Sequence, residues 1–260
     1  KAGGVTVFTL TVDPTTGAYK FDLFKALDHS VGGDEIFLNF GVKITDYDGD
    51  TATTDINIKV IDDVPHIDNS HPGIGNGLET VDETNLGPIT VNGAINVSFG
   101  NDTPGKIDFN GFTSSTPLTS HGQVVTVTPN GNVIEGKVGN DVIFKLELQN
   151  DGHYAFTQIG VLDHPNASNP DDVITLNFGV KVTDSDGDSA TGMITVNVKD
   201  DGPIAHDDNG TTDGHVITGN VLTNDDAGAD GLGAVKSVTF NGATTPIASG
   251  AEVTIVGTYG

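Results

Sequence analysis

The residues best suited to chemistry in this chain are aspartates spaced two apart, in a motif that occurs twice. The copies are Asp46, Asp48 and Asp50, and then Asp184, Asp186 and Asp188. Carboxylates at alternate positions around an Asp-Gly turn can direct their oxygen atoms towards one point. Calcium takes six to eight oxygen ligands, so the motif predicts calcium binding. The alternative is a turn that stays in water, because Asp and Gly both favour turns. The duplication favours the ion.

An EF-hand is excluded by the spacing. With Asp46 as position one of the loop, Gly49 falls at position four rather than six, and no glutamate closes the loop. The expected calcium site is therefore not a helix–loop–helix site.

Two further acidic pairs, Asp62-Asp63 and Asp200-Asp201, follow the strands that come after the triplets. A strand of about ten residues, such as 51–60, spans roughly 33 Å, so a triplet and the next acidic pair lie at opposite poles of one unit. In a head-to-tail array, the exit of one unit approaches the tip of the next. We therefore predict that Asp62 and Asp63 share calcium with the second triplet. The alternative is a solvated acidic linker.

Glu83 begins the next unit and is expected to join this junction from the same pole. By the same rule, the Asp46 triplet and the pair Asp200-Asp201 are also metal ligands, with partners outside residues 1–260. Only the central site is expected to be complete within this chain.

The composition restricts the class of partner. The chain has 36 acidic and 11 basic residues, a net charge of -25 and no cysteine. Nucleic acid is excluded as a partner because phosphate binding needs clustered lysine and arginine. Such self-repulsion opposes compaction unless cations neutralise it. No apolar run approaches the ~20 residues of a membrane span, which argues against membrane insertion.

The motifs belong to a long internal repeat. Between residues 38–65 and 176–203, roughly 18 of 28 positions are identical at an offset of about 138 residues. We therefore divide the chain into the C-terminal half of one unit (1–65), one complete unit (66–203) and the N-terminal part of a third (204–260). Segments 216–222, 233–242 and 252–259 resemble the front half of the complete unit.

Alternating apolar residues predict an all-β fold. Ile36, Leu38, Phe40, Val42 and Ile44 point to one face of a strand. With turn signals and no convincing helix, the pattern favours tandem immunoglobulin- or cadherin-like antiparallel sandwiches with calcium-bridged linkers. Half a sandwich has open edges. We therefore expect the end pieces to be poorly ordered, to pair end to end, or to be completed by other chains.

No enzyme is predicted. The sequence Leu-Asp-His occurs at 27–29 and 162–164, but no third zinc ligand or activated nucleophile recurs at a fitting spacing. Structural hydrogen bonding is the preferred interpretation of these histidines, and the remaining histidines form no pattern.

The motifs resemble a known family. The pattern TDxDGDxAT after LNFGVK, then DDxP, GNVLTNDDAGADG and VTFNG, resembles the extender repeats of giant bacterial RTX adhesins exported by type I secretion, including their cadherin-like (VCBS-type) modules. The resemblance implies extracellular, calcium-loaded β-sandwiches at the bacterial cell surface. Type I export uses a C-terminal signal, which would explain why the N-terminus shows no signal peptide. The Gly-rich nonapeptide repeats of RTX tails do not occur in this sequence.

From these observations we expect a calcium-rigidified extender that projects adhesive domains for attachment and biofilm formation. Its expected partners are neighbouring repeats of the same polypeptide. The alternative is a carbohydrate- or peptide-binding sandwich within such an adhesin. That alternative needs exposed aromatic residues in a unit-specific insertion, and the insertion near 165–170 is only about three residues long by comparison of the repeats.

Overall fold

The regular structure of this protein is β throughout the residues that the computed structural model describes, which are 4–30, 32–68, 78–84, 87–231 and 234–257. The prediction of an all-β fold is confirmed. No helix in the described residues is long and apolar enough to cross a membrane.

The first 65 residues form two antiparallel hairpins. Strand β1 (Phe8–Val12) pairs with β2 (Tyr19–Leu23), and β3 (Glu35–Thr45) pairs with β4 (Thr51–Ile61). The turn between β3 and β4 carries the first aspartate triplet. Its glycine, Gly49, has a φ of 105°, a conformation that side chains with a Cβ rarely adopt.

Residues 66–203 form a two-layered unit. One sheet has the strand order β12-β13-β14-β15-β7 and the other has the order β6-β17-β16-β9. The strands of this unit are β5 (His66–Asp68), β6 (Leu78–Asp82), β7 (Ile89–Ala94), β8 (Asn96–Ser98), β9 (Lys106–Ser114), β10 (Thr119–Ser120), β11 (Gln123–Val124), β12 (Thr126–Asn130), β13 (Val133–Val138), β14 (Asp141–Leu148), β15 (His153–Gln158), β16 (Val173–Thr183) and β17 (Ser189–Lys199).

The core lies between the two sheets. Leu176, Phe178 and Val180 on β16 are fully buried, and so are Phe144 and Leu146 on β14. These residues belong to one apolar cluster. Alternating inward side chains on two facing layers, which are antiparallel except where β6 pairs with β17, make this unit a β-sandwich. The unit boundaries at 65/66 and 203/204 remain a prediction.

The N-terminal hairpins repeat the back half of this sandwich. Phe8, Phe21 and Phe40 have ring centroids 5.4 to 6.3 Å apart, with interplanar angles of 29°, 76° and 53°. The corresponding rings Phe144, Phe156 and Phe178 are 5.8 to 6.2 Å apart, with angles of 29°, 79° and 56°. The local packing is therefore the same in both copies. The central unit adds a fourth ring, Phe112 of β9, 5.2 Å from Phe178.

The third piece contains a single hairpin in its described residues, β18 (Ser237–Phe240) with β19 (Ala243–Pro246). Residues 216–222 and 252–257 form no strand, and the expected likeness of 216–222 and 252–259 to the front half of the complete unit stays a prediction. In the central unit, front-half strands such as β9 pair with β16. The described residues after 203 include no such partner. Residues 233, 258 and 259 lie outside the described residues.

Candidate metal sites

The second aspartate triplet, here called the buried tip (Asp184, Asp186, Asp188), lies against the end of the first unit. The main-chain N–H of His29 donates to Asp186 Oδ2 at 2.9 Å, and that of Gly32 donates to Asp188 Oδ1 at 2.7 Å. The structure therefore places the loop between β2 and β3 of the first unit beside the second triplet.

The exit pair of the first unit contributes to this contact. The side chain of Asp62 is 2% exposed, and its Oδ1 lies 3.1 Å from His29 Nδ1. Ligand atoms of His29, Asp62 and Asp186 all lie within 4.8 Å of one another. Asp63 instead accepts hydrogen bonds from the main chain and side chain of Asn101, at 3.0 and 2.6 Å. Asp62 thus faces the tip, while Asp63 holds the loop beside it.

Sequence reasoning missed two members of this group, His29 and Asp102. Asp102 is 3% exposed, and its carbonyl oxygen accepts a hydrogen bond from Ser185 N at 3.0 Å. It lies in an irregular loop with no repeat spacing to the triplets, so no pattern in the sequence indicated it. We call the following set the junction cluster: His29, Asp62, Asp102, Asp184, Asp186 and Asp188.

The electrostatics of the junction cluster are those of carboxylates without a counter-ion. Burial raises the pKa of Asp62 above its ordinary value, and the nearby Asp188 and Asp186 raise it further. The pKa of Asp184 is raised by burial and then by Asp186. Asp186 is the exception, because the hydrogen bond from His29 N–H lowers its pKa. Excess negative charge in a buried place favours either protonation or a bound cation.

Unpaired oxygen atoms mark the same place. Among the described residues, Asp62 Oδ2, Asp184 Oδ2 and Asp186 Oδ1 are buried and have no hydrogen-bond partner. Buried polar atoms are nearly always paired, so each of these atoms needs an explanation. Asp62 and Asp186 lie within reach of one ion, so a cation there would satisfy carboxylates of both residues.

The first triplet, the exposed tip (Asp46, Asp48, Asp50), has the same turn but no covering partner. Asp46 Oδ1 accepts the N–H of Gly49 at 3.0 Å, and Asp184 Oδ1 accepts that of Gly187 at 3.0 Å. All three carboxylates of the exposed tip are solvent-exposed, although they lie within reach of one ion. The turn therefore forms without a junction.

Glu83 is not in the junction cluster, so its expected position beside Asp62 is wrong. Strand β6 pairs with β17 in parallel, with Asp82 opposite Lys199, and this register carries Glu83 to the exit end of its own unit. There it lies near His164 and Asp200. Parallel pairing between a first and a last strand leaves no local signal in the sequence.

The other exit pair, Asp200-Asp201, repeats the arrangement of Asp62-Asp63. The Asp201 carboxylate accepts a hydrogen bond from the N–H of Ala229 at 3.0 to 3.1 Å. In the same way, the Asp63 carboxylate accepts one from the N–H of Asn101. Burial raises the pKa of Asp200 to about 6.

Asp163, in the second Leu-Asp-His, accepts hydrogen bonds from the N–H groups of His121 and Gly122. Among the described residues, the rings of His29 and His164 have no hydrogen-bond partner, so structural hydrogen bonding accounts for Asp163 but not for these rings.

One known family matches most of this chain. Residues 1–59 and 79–199 match a family described as "Domain of unknown function (DUF5801)". The chain belongs to this family. The two matched segments cover parts of the first and second units.

Solved structures give only a distant likeness. The protocadherin GammaB4 extracellular domain is 17% identical, with a TM-score of 0.30 over 80% of this chain and 27% of that one. Protocadherin Gamma B2 extracellular cadherin domains 3-6 are 13% identical, with a TM-score of 0.31 over 81% of this chain and 44% of that one. This chain thus spans less than half of either structure, and such scores do not establish a shared arrangement. No curated protein matches the sequence.

Proposed function

We propose that this chain is a calcium-rigidified extender segment of a large secreted bacterial adhesin. Its work is mechanical: it holds adhesive domains away from the cell surface for attachment and biofilm formation. The family resemblance described above supports the extracellular location and type I secretion. The observation that carries the proposal is the junction cluster, where two units meet through buried carboxylates that have unpaired oxygen atoms.

Calcium is the cation that best fits the five carboxylates of this cluster. Asp62, Asp184, Asp186 and Asp188 supply carboxylate oxygens, and Asp102 adds another buried carboxylate. Calcium accepts such hard oxygen donors at 2.3 to 2.6 Å, with waters completing the shell. Because the donors come from both units, a bound ion would fix the angle between them. Without it, the same carboxylates repel one another.

We also propose that neighbouring repeats complete the half units. On β3, Ile44 is 58% exposed, whereas its counterpart Val182 is fully buried. Among the described residues, the edge of β3 that corresponds to the β9-paired edge of β16 has no partner strand. A front-half segment of another repeat would cover both this edge and the Ile44 side chain.

A calcium titration with two matched double variants tests the proposal. In the calcium-free protein, added Ca²⁺ is expected to raise the melting temperature because the ion binds only the folded junction. The variant Asp184→Asn with Asp186→Asn should lose this rise. The control, Asp46→Asn with Asp48→Asn, makes the same change in the exposed tip and should keep it. An equal response in the two variants would overturn the junction site.

A further inference from the structure

A second buried group of unpaired polar atoms lies at the opposite pole of the central unit. Among the described residues, every buried side-chain nitrogen or oxygen without a hydrogen-bond partner belongs either to the junction cluster or to this group. The group contains unpaired atoms of Glu83, Gln158, His164, Asp172 and Asp200. We call four of them the Glu83 cluster: Glu83, His164, Asp172 and Asp200.

The Glu83 carboxylate is held in one orientation. Its Oε1 accepts hydrogen bonds from Gln158 Nε2 at 2.8 Å and from Leu162 N at 3.0 Å. Its main-chain N–H donates to the carbonyl of Lys199 at 3.0 Å. The second oxygen, Oε2, has no partner and faces the imidazole of His164. Oε1 is thus held by hydrogen bonds within the fold, and Oε2 is left free to act as a metal ligand.

The imidazole of His164 lies between carboxylates. The side chains of His164 and Glu83 are both 2% exposed. His164 Nε2 is 3.5 Å from Glu83 Oε2, and Nδ1 is 3.6 Å from Asp172 Oδ1. These distances are too long for hydrogen bonds, and neither nitrogen has another partner. Two ligands of one tetrahedral ion, each about 2.1 Å from it, stand roughly 3.4 Å apart.

We propose that Glu83, His164 and Asp200 bind a zinc-class divalent ion rather than calcium. Ligand atoms of these three residues lie within 4.8 Å of one another, so one ion can reach all of them. Imidazole nitrogen is a preferred ligand for zinc and other first-row transition ions, whereas calcium takes oxygen. Asp172 would receive the N–H of the nitrogen that does not bind the metal, which is the usual support for a metal-bound histidine.

The position of the cluster gives the ion a mechanical role. Glu83 follows the end of β6, Asp200 follows β17, and His164 lies in the loop between β15 and β16. A single ion would tie the first and last strands of one unit to this loop. It would lock the unit internally, whereas calcium at the junction cluster would lock one unit to the next.

The test is a Co²⁺ titration of the full chain, with zinc confirming the result. Metal-free protein is first saturated with several millimolar Ca²⁺, so that the calcium site is filled. We expect Co²⁺ to bind with visible absorption bands, to raise the melting temperature, and to shift the His164 ring signals in NMR spectra. His164→Ala and Glu83→Gln should abolish this binding. Asp172→Asn should weaken it by about 10- to 100-fold.

The control variant is His215→Ala. His215 forms an exposed pair with Asp213, with its Nδ1 2.6 Å from Asp213 Oδ1, and it represents adventitious binding to a surface histidine. This variant should bind Co²⁺ at the Glu83 cluster as the wild type does. Circular dichroism and the calcium-induced rise in melting temperature show whether each variant still folds.

Three outcomes would overturn the inference: no Co²⁺ or Zn²⁺ binding, binding that calcium displaces completely, or binding lost in His215→Ala and kept in Glu83→Gln. The junction cluster is probed separately, through Asp184 and Asp186. If the junction failed to bind calcium, the Co²⁺ titration would still give its own answer.

Discussion

Two aspartate triplets with nearly the same sequence have different chemistry in this protein. Asp184 and Asp188 are buried, while all three residues of the exposed tip lie in water. The turn geometry is common to both, down to the φ of Gly49 (105°) and Gly187 (108°). What differs is the covering surface, because only the buried tip meets the His29 main chain and Asp62. These carboxylates are therefore candidate calcium ligands because of the residues that cover them, and not because of the turn sequence alone.

The same contrast holds for the apolar residues. Phe178 is fully buried and lies near Phe112, Phe144 and Phe156. Its counterpart Phe40 has the same two partners in Phe8 and Phe21 but is only partly buried. Phe178→Ala should destabilise the protein by about 3 to 5 kcal/mol, the usual cost of removing a buried phenylalanine. Phe40→Ala should cost clearly less.

Urea unfolding of the two variants checks this prediction. A separate spectroscopic probe in each unit monitors unfolding, so that the unfolding transitions of the two units are resolved. The pair is its own control because residue type and flanking sequence are the same. Equal losses of unfolding free energy would show that the first unit is as well packed as the second.

At the scale of elements, the long hairpins were predictable and their surroundings were not. The strands predicted from 36–44 and 51–60 are β3 and β4, with only their ends shifted. Alternation and an Asp-Gly turn are local signals, which one copy of the sequence contains completely. The parallel pairing of β6 with β17 joins residues more than a hundred positions apart, and it placed Glu83 where sequence reasoning did not.

The residues of the candidate sites were likewise predictable from the sequence only in part. The meeting of Asp62 with the buried tip followed from strand length and the repeat, both of which are readable in the sequence. His29, Asp102 and Asp172 lie in loops, where neither periodicity nor spacing indicates which way a side chain points. Their roles depend on which loops the sandwich brings together at its poles.

Hydrogen exchange tests how far neighbouring strands determine stability. β16 pairs with β17 on one edge and β9 on the other, whereas in the described part of the chain β3 pairs only with β4. Amides of β16 that donate to β9 should exchange much more slowly than the equivalent amides of β3, which have no such acceptor. Amides facing the hairpin partner serve as the internal reference. Equal protection of both edges of β3 would mean that another strand covers it in solution.

On the proposed function, the whole molecule is a chain of units whose stiffness depends on the contacts between them. With a net charge of -25, the units repel one another, and the junction cluster concentrates that charge where two of them meet. A divalent ion bound at the junction cluster would replace the repulsion between its carboxylates with coordination that holds the two units together. The protein should therefore be stiff with calcium and flexible without it.

The distance across the junction tests this claim most directly. The chain has no cysteine, so Thr53→Cys and Thr128→Cys place spin labels at two exposed sites, one in each unit. Pulsed electron paramagnetic resonance should give one narrow distribution of distances between the two spin labels in calcium, and a broad distribution after the calcium is chelated. The Asp184→Asn, Asp186→Asn background should stay broad in both conditions. A distribution of the same narrow width with and without calcium would contradict the account.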